Sequence, residues 1–348
     1  MLPKMRTERQ SNIELLRIVA MLLVLIVHAG YWRIGIPTPL EALESPLATF
    51  VRICIQQLAS PCVDVFIIIS GFFSIKPKVK SICNLWFMLL FWAIIAAGYD
   101  IQLRGSSVGL GTICRVIFPF IGWFIPAYLG LYLIAPILNA FAENVKKRHF
   151  EKYLVAFFAL QTFFDLVYRG WAIDGRGVFN FGYSIMTLAG LYLLGRYFKI
   201  YQPYYMTKKS FYGACVYFGI FVLSTMIQFV LLFAASKWNR LESFANLCIR
   251  RSCVYTNPVV IIGSCCLFFA FYNMKISNKL INHIATSTLA VFCFHSMPFY
   301  GLIVRRIYAN FNGVTVLLMD AAFIVAVYAA GTMLDQIRIL IWKGAFRG

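Results

Sequence analysis

The sequence predicts an all-α integral membrane protein that crosses the bilayer about ten times, with both termini in the cytoplasm. Of its 348 residues, 61% are hydrophobic and only 13% are charged, which is too little polar surface for a soluble globule of this size. The hydrophobic residues form runs long enough to cross a bilayer. The basic residues cluster in short segments between these runs, and this arrangement sets the orientation of a membrane protein.

The net charge of +19 would suggest a nucleic-acid partner if the basic residues lined one face of a soluble domain. They lie in loops between apolar runs instead, so no nucleic acid is expected. Membrane lipids with anionic headgroups, or a phosphorylated cofactor, suit such loops.

No linker or internal repeat is visible, so residues 1–348 are predicted to form one transmembrane domain without an appended soluble domain. The first apolar run is expected to be retained, because no A-x-A-like cleavage site follows it.

The ten cysteines and four histidines show no metal-ligand spacing, and no metal is expected. Most cysteines lie inside apolar segments, where they behave as small buried hydrophobes. Cys248 and Cys253 fall in a predicted external loop, and the sequence leaves open whether they form a disulfide.

The first helix is predicted at residues 13–32, and it runs outward from a basic N-terminus that contains Lys4, Arg6 and Arg9. The other nine helices are predicted at residues 48–73, 82–101 and 118–141, in a fifth helix that ends near residue 168, and at residues 183–201, 211–235, 254–272, 284–304 and 314–342. External loops are predicted at residues 34–47, which contain three prolines, and at residues 104–115, 169–180 and 236–252.

The first helix carries three ionisable side chains, Glu14, Arg17 and His28. Each costs about 3 kcal/mol at membrane depth, so such groups normally face a protein interior or a water-filled cavity. Arg17 and His28 share one helical face, about 16 Å apart along the axis. Glu14 lies one turn before Arg17 and could orient or neutralise it. The alternative is an arginine that snorkels near the helix start and a histidine with a structural role.

Further candidates lie in and after the second helix. Asp64 is embedded among apolar residues, either as a structural group or as part of a polar network. Lys76, Lys78 and Lys80 form a cationic patch on the predicted cytoplasmic side. The patch reflects either the ordinary excess of basic residues in cytoplasmic loops or a clamp for phosphate groups.

Aromatic residues and a second histidine complete the candidates. Trp123 and Tyr128 could stack on a sugar ring, although residues of this kind also form interfacial belts. His295 lies in the predicted ninth helix, where a structural role and a functional role are equally open.

Taken in chain order, these segments resemble the acyltransferase-3 family of membrane-bound O-acyltransferases, which includes bacterial O-antigen O-acetyltransferases. The likeness begins with NIELLR and the pair Arg17 and His28, and continues with VDVFIIISGFF, which contains Asp64 and Ser70. It extends through WFIPAYLGLYL, LYLLGRYFK and the late FCFHS. The ordered set covers most of the chain and is more specific than any one of its motifs.

The resemblance implies transfer of an acyl group, usually acetyl from acetyl-CoA, to a hydroxyl of a surface polysaccharide or its lipid-linked precursor. It also implies a bacterial cytoplasmic (inner) membrane location. Arg17 and His28 match the family's paired arginine and histidine. The family often has arginines in the turn after the second helix. Lysines stand there in this chain, so a point-charge attraction replaces a bidentate grip on phosphate.

A sugar hydroxyl needs a general base that works near neutral pH to attack a thioester, and histidine meets this requirement. His28 is therefore predicted to be the base, and Asp64 to orient its ring by analogy with a catalytic triad. An acyl-histidine intermediate is the alternative. The donor is predicted to contact Arg17, Ser70, Lys76, Lys78 and Lys80. The pore or acceptor site is predicted to include Glu14, Trp123, Tyr128 and His295.

The competing class is a transporter or flippase of a glycan or small solute, whose ionisable residues at mid-membrane would bind substrate or relay protons. Such proteins often contain inverted repeats, and none is visible here. A structural subunit would explain the hydrophobicity but not the ordered polar motifs.

Overall fold

The computed structural model describes residues 10–105, 109–119, 122–168 and 178–345, and within these ranges it is helical, with no strand. The predicted all-α class is confirmed. The basic N-terminal residues 1–9 and residues 169–177 of the predicted loop at 169–180 lie outside the described part. The α-helices are α1 (Ser11–Ala29), α2 (Tyr31–Ile34), α3 (Pro39–Glu44), α4 (Pro46–Ala59), α5 (Cys62–Phe73), α6 (Val79–Arg104), α7 (Leu110–Ile117), α8 (Phe124–Asn144), α9 (Lys147–Thr162), α10 (Ile185–Tyr201), α11 (Ser210–Lys237), α12 (Glu242–Ser252), α13 (Pro258–Tyr272), α14 (Lys279–Ile284), α15 (Thr288–His295), α16 (Pro298–Asn310) and α17 (Gly313–Ala345).

Six helical segments of the described chain are long and apolar enough to cross a membrane, or seven if one bent pair counts as a single span. The six are Ser11–Ile34, Pro46–Phe73, Val79–Leu103, Phe124–Asn144, Ser210–Lys237 and Gly313–Ala345. Each of the ten predicted segments contains helix in its described residues, although the helices in the segments predicted at 118–141 and 254–272 begin only at Phe124 and Pro258. However, α9, α10 and α13 have only 16, 17 and 15 residues, fewer than the 20 or so that usually span a bilayer. Ten spans and cytoplasmic termini stay predictions.

The predicted external loop at residues 34–47 is wrong in part, because it contains α3 and the start of α4. Thr38 caps α3 with a capping box: its backbone N–H donates to the Glu41 carboxylate at 2.6 Å, and the Glu41 N–H donates to the Thr38 hydroxyl at 3.2 Å. Pro39 occupies the first turn, where a missing N–H costs nothing. The sequence contains the T-P-L-E pattern of a capping box, but the three prolines of this segment favoured a prediction of turns.

Two more predicted loops also contain helix. Residues 236–252 include α12, which packs against α11, and residues 104–115 include most of α7. Both helices are short and carry arginines, so neither resembles a membrane span in the sequence. Cys248 and Cys253 are both free thiols.

The predicted ninth helix is two helices that meet at 77°, α14–α15 and α16. Pro298 begins α16, and Met297 before it is extended, with φ −69° and ψ 153°. A residue that precedes proline disfavours the α conformation, and proline has no N–H to continue the ladder. The break therefore places His295 at the end of α15, next to the bend.

The centre of the fold is α1, which packs against α4, α5, α13, α14, α15 and α17. One face of α1 places Met21, Leu25 and neighbouring residues in the larger hydrophobic core. Another face places Leu16 and Ala20 in a second core. Because other helices cover α1 on several sides, the ionisable residues of its remaining face are shielded from lipid.

Helices α5 and α10 cross with their backbones in close approach, and glycines make this approach possible. A Cβ at Gly195 would overlap the Ile68 carbonyl oxygen and lie 2.9 Å from the Phe72 backbone nitrogen. A Cβ at Gly71 would overlap the Tyr192 carbonyl oxygen. The two backbones can approach this closely only without side chains, as at small-residue interfaces in other membrane proteins.

We expect Gly195→Ala to lower stability by about 1–3 kcal/mol, because the methyl group must push α5 away from α10. The measurement is the midpoint of thermal unfolding in detergent. Gly219→Ala in α11 is the control, because a Cβ there meets nothing within 4 Å. Equal midpoints for wild type and Gly195→Ala would contradict the close crossing.

Candidate active site

A cavity of about 570 Å³ lies between α1, α5, α8, α15 and α17. Five residues that the sequence predicted as site residues line it: Arg17, His28, Ser70, Trp123 and Tyr128. Its size is in the usual range for small-molecule sites. The cavity therefore gathers candidates that are up to about 110 positions apart in the chain.

One face of α1 forms a wall of this cavity along most of the helix. The lining residues of α1 are Arg17, Met21, Val24 and His28, and their spacing of three or four positions places them above one another on one face. The eleven positions between Arg17 and His28 correspond to about 16 Å along the axis. The arginine and the histidine thus lie toward opposite ends of the same cavity.

A backbone carbonyl fixes the ring of His28. The Nδ1 atom lies 2.8 Å from the Val24 carbonyl oxygen, which can only accept a hydrogen bond. In the neutral ring, Nδ1 therefore carries the proton, and Nε2 keeps the lone pair that a general base needs. The helix that carries His28 thus also selects its tautomer.

His295 lies directly beside His28, with 4.8 Å between the ring centroids and 69° between the ring planes. Its Nδ1 lies 2.6 Å from the Phe292 carbonyl oxygen. Since a carbonyl also binds this Nδ1, the neutral His295 ring has the same tautomer as His28. The packing of α15 against α1 brings the two histidines together.

Asp64 is completely buried, and both its carboxylate oxygens lack a hydrogen-bond partner within the described part of the chain. The structure therefore shows no hydrogen bond between Asp64 and His28, and a catalytic role of Asp64 stays a prediction. The Val24 carbonyl accepts the hydrogen bond of Nδ1 because, within a helix, the carbonyl four residues earlier lies within reach of the ring. Asp64 is also not among the residues that line the cavity.

Glu14 holds Arg17 through an ion pair with 3.4 Å between Nη1 and Oε1. The guanidinium carbon lies 5.7 Å from the centre of the Phe73 ring, at the end of α5. A carboxylate and an aromatic face thus fix the arginine near the cavity. Ser70, one turn before the end of α5, also lines the cavity, and its hydroxyl donates to the Phe66 carbonyl at 2.9 Å.

The three lysines of the predicted phosphate clamp, Lys76, Lys78 and Lys80, are exposed and are not among the lining residues of the cavity. Lys76 and Lys78 lie on the segment between α5 and α6, and Lys80 lies in the first turn of α6. The structure does not bring them together with Arg17 and His28, and their role in donor binding stays a prediction.

An aromatic wall flanks the histidine end of the cavity. Trp123 packs edge-on against Tyr183 at 4.6 Å and lies 5.8 Å from Tyr255, with all distances between ring centroids. Ring contacts continue from Trp123 through Phe124 and Phe292 to His295, at 5.8, 5.4 and 5.2 Å. Tyr255 also lines the cavity. It was missed because it lies at the start of the predicted eighth helix, at residues 254–272, where no neighbouring residue marks it as part of a site.

Basic residues line the other end of the cavity, and only Arg17 among them was predicted. His283, Arg338 and Lys343 belong to this end. Arg338 follows Asp335 by three positions in a long apolar helix. Since this spacing places the two side chains on one helical face, it was the available signal of an intramembrane ion pair.

Among the described residues, no group of three or more histidine, cysteine, aspartate or glutamate side chains is arranged to hold a metal.

The model of the acyltransferase-3 family, described as an acyltransferase domain, matches residues 10–334. The chain therefore belongs to this family, and the resemblance carried by its motifs is confirmed. Neither a search of curated proteins nor a search of solved structures found a match. Membership of this family supports the interpretation that the protein is a membrane acyltransferase.

We expect Asp64→Asn to leave the tautomer of His28 unchanged, because the Val24 carbonyl fixes Nδ1. The measurement is the ¹⁵N spectrum of histidine-labelled protein, in which protonated and unprotonated ring nitrogens have distinct shifts. His28→Gln identifies the signals of this ring. A change of the His28 signals to the other tautomer in Asp64→Asn would restore the carboxylate as the orienting group.

Proposed function

We propose that the protein is an O-acyltransferase that moves a short acyl group from acyl-CoA to a sugar hydroxyl. The acyl group is proposed to be acetyl, which is the usual group in this family. The acceptor would be a surface polysaccharide or its lipid-linked precursor, and the location the bacterial inner membrane. The observation that carries the proposal is that Arg17 and His28 line the same cavity. A cation and a base then face one passage from positions about 16 Å apart along the axis of α1.

His28 acts as the general base of this reaction. Its Nε2 removes the proton from the acceptor hydroxyl, whose oxygen attacks the carbonyl carbon of the thioester. The new C–O bond forms, the C–S bond breaks, and the proton passes from Nε2 to the departing thiolate. The tautomer set by the Val24 carbonyl supports this role, because it leaves Nε2 free to accept.

The alternative chemistry has two steps. His28 Nε2 first attacks the carbonyl carbon, so that a C–N bond forms, the C–S bond breaks and the CoA thiolate leaves. The hydroxyl oxygen then attacks the acyl carbon, the C–N bond breaks, and the hydroxyl proton passes to the thiolate. Both routes need the thioester and the hydroxyl at His28 Nε2. The proposal of a shared cavity is the same for both.

The aromatic wall suits the acceptor sugar. Trp123 and Tyr255 offer ring faces at the histidine end, and aromatic rings with a polar edge contact the apolar face of a ligand while they hydrogen-bond its rim. The acceptor would therefore approach from the end that His28 and His295 occupy. The donor would occupy the end near Arg17.

We expect His28→Ala to reduce acyl transfer by about 10²–10⁴-fold, which is the usual contribution of a general base. The assay follows labelled acetyl from acetyl-CoA to a glycan acceptor with purified protein. His149→Ala is the control, because His149 is exposed in the first turn of α9. Normal transfer by His28→Ala would remove His28 from the mechanism. Solute flux across vesicles without transfer by the wild type would instead support a transporter.

We expect Trp123→Ala to raise the KM for the acceptor by about tenfold, while the KM for the donor stays constant, because stacking on one aromatic ring contributes on the order of 1 kcal/mol. Steady-state kinetics with each substrate varied in turn measures both constants. Trp238→Ala is the control, since this side chain is 65% exposed at the end of α11. An unchanged acceptor KM would place the sugar elsewhere.

A further inference from the structure

The end of the cavity farthest from His28 collects four basic side chains, Arg17, His283, Arg338 and Lys343, here called the cationic end. Two long-range hydrogen bonds show how it is assembled. The Asn278 N–H donates to the Ser11 hydroxyl at 3.0 Å, which joins the start of α14 to the start of α1. The Gln336 amide donates to the Ser287 hydroxyl at 3.0 Å, which joins the last part of α17 to the same region.

Arg338 is held in a fixed orientation. Asp335 accepts from Nε at 2.5 Å and from Nη2 at 3.2 Å, and Asn84 of α6 accepts from Nη1 at 3.1 Å. The residue is only 4% exposed. A guanidinium has five N–H groups, so these three bonds leave two at the fork. A buried arginine that lines a cavity with unused donors is prepared to bind an anion.

Lys343 adds a charge that no carboxylate neutralises within the described part of the chain. It lies five positions after Arg338 in α17 and lines the same cavity. Glu14 and Asp335 each form an ion pair with one arginine and hold its guanidinium group in place. The ammonium group of Lys343 has no such carboxylate partner among the described residues. Guanidinium groups held in place, together with an ammonium group that has no carboxylate partner, suit the several oxygens of phosphate esters.

We infer that the cationic end binds the phosphate groups of the acyl donor, with Arg338 and Lys343 as their ligands together with Arg17. The inference rests on the proposed function. It assigns the phosphates to α17 and not to the exposed Lys76, Lys78 and Lys80, which lie outside the cavity. Arg338 and Lys343 also lie beyond the residues that the family model matches, so the assignment comes from this cavity alone. The thioester would then extend from the cationic end toward His28.

The test measures the affinity of the purified full chain in detergent for two probes, acetyl-CoA and acetyl-pantetheine, which has the same thioester without phosphates. We expect Lys343→Gln to weaken acetyl-CoA binding by about tenfold, the usual value for one charge-assisted hydrogen bond. Binding of acetyl-pantetheine should stay constant. Lys237→Gln is the matched control, since Lys237 ends α11, another long membrane helix.

Arg338 is tested as the double variant Asp335→Asn and Arg338→Gln, because loss of the arginine alone would leave a buried carboxylate unpaired. It too should weaken acetyl-CoA binding, with no change for acetyl-pantetheine. If both variants bind acetyl-CoA as the wild type does, the inference is overturned. The same holds if Lys76→Gln, Lys78→Gln and Lys80→Gln together weaken binding while the α17 variants do not.

The His28→Ala variant separates this inference from the proposed function. Normal acetyl-CoA binding without transfer by His28→Ala, with weak binding by the α17 variants, supports both. A wild type that transfers acetyl while the α17 variants bind normally contradicts the inference alone. A wild type that binds no acetyl-CoA contradicts both.

Discussion

The constraint on which the structure depends is that ionisable side chains in a membrane helix must be shielded from lipid. Arg17 and His28 occupy one face of α1, and each would cost about 3 kcal/mol or more at membrane depth. The fold meets this constraint by surrounding α1 with other helices while it keeps a cavity on the polar face. The close crossing of α5 and α10 then keeps α5, which forms another wall of the cavity, in a fixed position.

The polar groups at the cavity are oriented mainly by contacts within their own helices, to which Asn84 adds one distant partner for Arg338. A carbonyl one turn earlier holds His28, a carbonyl three residues earlier holds His295, and Glu14 and Asp335 hold arginines three positions later in the same helices. Such contacts form whenever the helix forms. Tertiary packing then only has to bring the helices together, and the contact of α15 with α1 places His295 beside His28.

The helix pattern and the Arg17–His28 face were predictable because both follow from periodicity within a single segment. The pairing of His28 with Asp64 was not, since contacts between helices depend on rotation and depth, which one sequence does not specify. Tyr255 and Lys343 were missed for a related reason, because each lies at the end of an apolar run and becomes a site residue only when distant helices meet. The break after His295 was predictable from the sequence, because Pro298 follows three positions later and proline interrupts a helix.

The number of membrane spans shows the same limit. Helices α9, α10 and α13 are apolar but short. Whether they cross the bilayer depends on how neighbouring helices cover them, and length alone cannot decide this.

The most direct measurement is an experimental structure of the full chain with acetyl-CoA bound. The shared-cavity proposal predicts that the thioester lies at the His28 end of the cavity, with room for an acceptor hydroxyl between its carbonyl carbon and His28 Nε2, and that the donor extends through the cavity toward Arg17. A donor bound outside the cavity, or a His28 ring that faces lipid, would contradict it.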